Sequence, residues 1–87
     1  MQLTLGQKIK ARLSAVSGED QEEYAAMIGY NGTLIQCSDG LSFSCDNGEW
    51  LTMQPKRKTE KDGKLTVSTK LGNTFTFRLL GNNVPRT

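Results

Sequence analysis

The residues able to do chemistry are few in this 87-residue chain, and their spacing narrows what they can do. Histidine is absent, which removes the commonest general base and metal-binding imidazole. The two cysteines, Cys37 and Cys45, match no zinc-binding spacing and have no further ligands to complete a tetrahedral set, so they read as buried free thiols. Glu22 and Glu23 are adjacent. On a helix they would point about 100° apart, which favours a helix N-terminus over a paired carboxylate site. The chain has no Ser-x-x-Lys motif and no glycine-rich phosphate loop. The expectation is a non-catalytic protein that needs neither cofactor nor metal.

Charge is the functional lead. Residues 13–55 contain seven acids (Glu19, Asp20, Glu22, Glu23, Asp39, Asp46 and Glu49) and not one Lys or Arg. The bases lie at either end, densest at Lys56, Arg57, Lys58, Lys61 and Lys64. Those five bases and Trp50 are the candidate partner-binding residues. One reading sets the bases against the phosphates of RNA or single-stranded DNA, with Trp50 stacked on a base. The other makes Trp50 the anchor of a protein interface steered by charge. A protein partner is favoured, because so long an acidic run repels phosphate. A bland alternative stands beside both: such a basic hairpin also keeps an edge strand from pairing with its neighbours, and Trp50 would equally well cover a second small core.

These side chains must be positioned by short elements. From residue 29 onward turn signals recur at Asn31-Gly32, Asp39-Gly40, Asn47-Gly48, Asp62-Gly63 and Gly72-Asn73, with strand-forming segments between them. Three-residue loops ending in Gly40 and Gly48 would set Ile35 and Leu51 on either side of Phe43, Cys37 against Leu41, and Leu41 against Met53. Extended to Gly32, the rule adds Met27 to that row. A connection at Leu71-Gly72-Asn73 would pair Val67 with Phe77 and Leu65 with Leu79. One face would then carry Ile35, Cys37, Leu41, Phe43, Cys45, Leu51, Met53, Leu65, Val67, Phe75, Phe77 and Leu79. On it the two cysteines oppose Leu41 and Thr33, so no disulfide is expected.

The first third reads two ways. Ile9, Ala11, Leu13 and Ala15 alternate as in a strand, whereas Leu5, Ile9, Leu13 and Val16 fit one face of a helix. A short helix is expected at about 18–27. Residues 5–36 also resemble the start of the Cro/repressor helix-turn-helix family. Leu5-Gly6-Gln7-Lys8-Ile9-Lys10 is similar to its first helix, and Gln21-Glu22-Glu23-Tyr24-Ala25-Ala26-Met27-Ile28-Gly29 to its second helix and glycine turn. The resemblance implies a recognition helix at Asn31–Gln36, anchored by Ile35, and a transcriptional repressor. The same Asn31-Gly32-Thr33 reads by composition as a turn, and the residues beyond it read as strands.

The sequence thus predicts a mainly β domain over residues 1–80. It would be an antiparallel meander of five to six strands, open as a sheet or closed as a small barrel, with a short N-terminal helix and a flexible tail at 81–87. No apolar run approaches the roughly 18–20 residues of a membrane span, and no signal-peptide pattern is present. A cytoplasmic regulator or inhibitor of another protein, of the kind phages encode, is the expected type. A nucleic-acid-binding protein is the alternative.

Overall fold

The computed structural model describes residues 5–81. In chain order the elements are β1 (Lys8–Gly18), α1 (Gln21–Tyr24), a 3-10 turn (Ala25–Met27), β2 (Asn31–Cys37), β3 (Gly40–Cys45), β4 (Trp50–Met53), β5 (Pro55–Lys61), β6 (Lys64–Thr69) and β7 (Asn73–Gly81). The strands pair antiparallel, within one sheet of order β4-β3-β2-β1-β7-β6-β5. The mainly β class is as the sequence predicts, but the described residues form seven strands, not five or six. The strands at the two ends of that order, β4 and β5, are joined through the single residue Gln54. The sheet therefore rolls back toward itself. Gln54 accepts a backbone hydrogen bond from Lys70 at 3.1 Å, and the Lys58 Nζ reaches Gln36 Oε1 on β2 at 3.4 Å.

Alternation along each strand sends one set of side chains inside the roll. Ile9, Ala11 and Leu13 of β1 meet Leu34, Leu41, Phe43, Leu51, Met53, Leu65, Val67, Phe75 and Phe77. The Phe43 and Phe77 rings lie 5.0 Å apart across the interior. Each of these side chains larger than Ala11 contributes about 1.5–3 kcal/mol by leaving water. The strand reading of residues 8–16 is the one realised, with a register shift between Leu13 and Ala15 that returns Val16 to the inner side.

Several expected pairings differ. Phe43 does face Leu51, and Leu41 faces Met53, with Gly48 at φ 98° as a three-residue loop demands. The β2–β3 turn, however, holds two residues, Ser38 and Asp39. Phe43 therefore opposes Leu34, Leu41 opposes Gln36 and Cys37 opposes Gly40. Ile35 and Cys37 fall on the outer side; Leu34 takes the core position. Cys37 and Cys45, both free, thus lie on opposite faces, and Cys45 faces Gly32. The reason is spatial. A side chain at Gly40 would put its Cβ 2.3 Å from the Met53 carbonyl oxygen, and one at Gly32 would sit 2.6 Å from the Phe43 ring. These two glycines sit within strands and let neighbours approach closely. The β6–β7 loop is Lys70-Leu71-Gly72, so Val67 opposes Phe75 and Leu65 opposes Phe77, two residues away from the expected register.

The helix is also shorter than the expected span of about 18–27: one α-turn at Gln21–Tyr24, then the 3-10 turn that buries Met27. Met27 joins the core from there, not from a strand. Where the helix-turn-helix resemblance implies a recognition helix, Asn31–Gln36 belongs to β2, and Lys8–Lys10 belongs to β1. β5 is a strand that composition does not announce, because Pro55-Lys-Arg-Lys-Thr-Glu-Lys has little strand propensity. Pairing with β6 around Asp62-Gly63, both with positive φ (54° and 77°), supplies what composition lacks. Gly81 ends β7 opposite Lys10; the rest of the expected tail, 82–87, lies outside the described residues.

Candidate functional site

The outward positions follow from the same register. Opposed residues in an antiparallel pair share a face, so the partners of buried side chains point inward and the remainder outward. On β5, Lys58 opposes Val67 and Glu60 opposes Leu65, which places both on the inward side, although both are exposed at this margin of the sheet. Charged inward positions of this kind discourage further pairing at a sheet edge. Arg57, Thr59 and Lys61 take the outward side with Ser68, Thr66 and Lys64. Lys56 occupies the register shift between Pro55 and Arg57.

The expected basic patch is thus divided. Lys61 and Lys64 stand opposite each other, Arg57 shares their face, Lys58 turns toward β2, and Lys56 lies at the irregularity. Trp50, 71% exposed, begins β4 on the outer side, opposite Ser44. It sits at the far end of the β4–β5 run from Lys61 and directly follows Glu49 in the loop that also carries Asp46. The structure does not bring Trp50 into the basic group.

Two arginines outside the sequence-based candidates do join it. Lys64 opposes Arg78 on β7, and Arg78 opposes Arg12 on β1. A row Lys61–Lys64–Arg78–Arg12 therefore crosses four strands. Arg12 is held by its Nε donating to Asn31 Oδ1 at 2.8 Å. Lys10 and Lys8 continue along β1 on the same side. A signal for them is present in the sequence, in the alternation Lys8-x-Lys10-x-Arg12, each base next to an inward Ile9, Ala11 or Leu13. Beside the row runs a band of hydroxyls, Thr59, Thr66 and Thr76, and beyond it Ser68 and Thr74. None of these outward positions is Asp or Glu.

No family model matches the chain, and neither a curated protein nor a solved structure matches it. Its chemistry rests on the geometry alone. A cleft between α1 and the β4 and β7 strands is lined by Tyr24, Met53, Leu71, Asn73 and Phe75. Thr52, Gln54 and Thr69 line it too, and two of its polar side chains are engaged: Asn73 Oδ1 accepts from the Asp20 backbone N–H at 2.8 Å, its Nδ2 donates to Asp20 Oδ2 at 2.9 Å, and Thr69 Oγ1 accepts from the Asn73 backbone N–H at 3.2 Å. Tyr24 packs edge-on against Phe75 at 5.2 Å. Burial, then the nearby Glu23 and Asp20 carboxylates, raise its phenol above the usual 10.0. The Cys37 thiol lies 3.5 Å from Ser42 Oγ and 3.8 Å from the Ile35 carbonyl oxygen, neither of which is a base that would activate it. Among the described residues no group of three Cys, Asp or Glu is placed to hold a metal ion, and no helix is long and apolar enough to cross a membrane.

Proposed function

We propose that this chain is a non-catalytic binding domain that holds a macromolecular partner by surface contact. The observation that carries this reading is the division of the rolled sheet. Its inner side is filled by interlocking apolar side chains, while its outer side presents bases, hydroxyls and an exposed tryptophan. The outer side has two sectors of different character. Around Trp50, beside Glu49 and Asp46, an aromatic anchor with an acidic margin fits a protein partner. The β5–β6–β7–β1 sector carries an excess of bases over its two acids, Glu60 and Asp62, and fits a polyanion.

Much of the acidic run on which the preference for a protein rests meets that second sector at the Asn73 end of β7, where Asp20 is bonded, whereas Arg78 and Arg12 pair towards the other end. Glu19, Asp20, Glu22 and Glu23 cluster at α1, and Asp39, Asp46 and Glu49 occupy turns between β2, β3 and β4. To test the surface-contact reading, a tagged copy is used to capture partners from extract, with and without nuclease, and the eluate is identified by mass spectrometry. A stoichiometric partner is expected, and a protein partner should be released by Trp50→Ala. Retention of nothing above the level of a scrambled control in either extract would sink the reading.

A further inference from the structure

We infer that the convex wall built by β5, β6, β7 and β1 binds the sugar-phosphate backbone of a single-stranded nucleic acid. The inference rests on the surface-contact reading and names the partner of one sector. Lys61, Lys64, Arg78 and Arg12 are consecutive direct neighbours across four strands. With strands about 4.8 Å apart, the row spans roughly 14 Å. Like charges directly opposed in a sheet oppose folding, and here three such pairings follow one another; Asp62 lies in the turn beside Lys61 and Lys64 but opposes no member of the row. Asp62 lies near the Lys61–Lys64 end alone, whereas a polyanion laid along the row neutralises every member of it, Arg78 and Arg12 included.

Two further features select the ligand. The hydroxyls of Thr66 and Thr76 flank the row, as donors of the kind that bond phosphate oxygens without reading sequence. The wall is the outside of a rolled sheet, so it curves away from a straight object. Duplex DNA, stiff over about 50 nm, would touch such a surface at only one or two phosphates. A single strand bends to follow it. Trp50, with its acidic neighbours, lies off this track and takes no part.

The test is fluorescence anisotropy of a labelled oligothymidylate of about 16 nucleotides, the upper range for a small β domain, titrated over a series of salt concentrations. With four phosphates contacted, the log–log dependence on salt should have a slope near −3, about −0.7 per contact. Arg12→Gln with Lys64→Gln and Arg78→Gln should bring the slope to about −1 or shallower. Lys56→Gln with Lys58→Gln, and separately Trp50→Ala, should leave it unchanged. A duplex of equal length should bind more weakly at every salt concentration, and vesicles of phosphatidylserine and phosphatidylcholine should not compete. Circular dichroism checks that each variant is folded. In the wild-type protein, amide shifts induced by the oligonucleotide should centre on Arg12 and Arg78, which tests the track without any substitution. No binding at low salt, equal loss in the Lys56/Lys58 variant, tighter binding of duplex, or competition by vesicles would overturn the inference. A protein captured through Trp50 alongside any of those results would leave the surface-contact reading standing.

Discussion

Phe43 shows how single residues settle this structure. Its ring is fully buried, lies 5.0 Å from Phe77, and passes over Gly32, where even a methyl group would collide with it. Phe43→Ala should cost about 3–5 kcal/mol, which threatens a domain of this size. The β2 register makes a sharper contrast. Leu34 is fully buried and Ile35 is only half-buried on the other face. Leu34→Ala should cost about 2–5 kcal/mol and Ile35→Ala less than about 1. Denaturant midpoints decide this, and the reverse order would restore the three-residue loop expected at Ser38-Asp39-Gly40.

Among the elements, α1 is a single turn and owes little to its own propensity. It is tied down by Asn73 at the start of β7, which holds both the backbone N–H and the carboxylate of Asp20. Asn73→Ala should therefore cost about 1–3 kcal/mol by leaving the Asp20 amide unpaired, and the amides of Gln21–Tyr24 should lose hydrogen-exchange protection first. Tyr24 adds a pH dependence to the same corner. Its raised pKa means that the folded state keeps the phenol protonated more firmly than the unfolded chain does. The associated stability is fully present below pH 10.0 and is lost as pH rises through the raised value. Tyr24→Phe should flatten that alkaline limb of the stability profile. For β2, backbone chemical shifts of Gly32–Cys37 should take strand values. Helical values there would favour the repressor-like reading of the segment.

At the scale of the whole molecule, charge is unevenly spread: seven acids lie at α1 and in the β2–β3–β4 turns, while bases outnumber Glu60 and Asp62 along β1 and the β5–β6–β7 wall. The net formal charge of +2 conceals this. Repulsion within the cationic row should make the free protein more stable as ionic strength rises, since exposed charges are screened over about 10 Å at 0.1 M salt. Arg78, in the middle of the row with a base on either side, reports it best. Arg78→Gln should raise stability by about 0.2–1 kcal/mol at low salt, with the gain shrinking as salt is added. Thermal melts of both proteins across a salt series measure this. A variant less stable at low salt would mean that the row is not under repulsive load.

The sequence by itself determined the β class, most of the inward residues from Leu41 onward, and the outward placement of Trp50. Those follow from period-two alternation and from local turn chemistry, both of which act over a few residues. It leaves open whether residues 5–16 are strand or helix, because Ile9, Ala11, Leu13 and Ala15 alternate while Leu5, Ile9, Leu13 and Val16 have helical spacing, and no partner strand is there to choose. Only the tertiary structure decided the rest. Asn31-Gly32 and Asp39-Gly40 have turn composition, but Phe43 and Met53 need the space at Gly32 and Gly40, and that demand comes from neighbouring strands. The cationic row likewise joins Arg12 to Arg78 across 66 positions of sequence, through the pairing of β1 with β7. No local pattern holds that adjacency; it exists only once the first and last strands meet at the centre of the sheet.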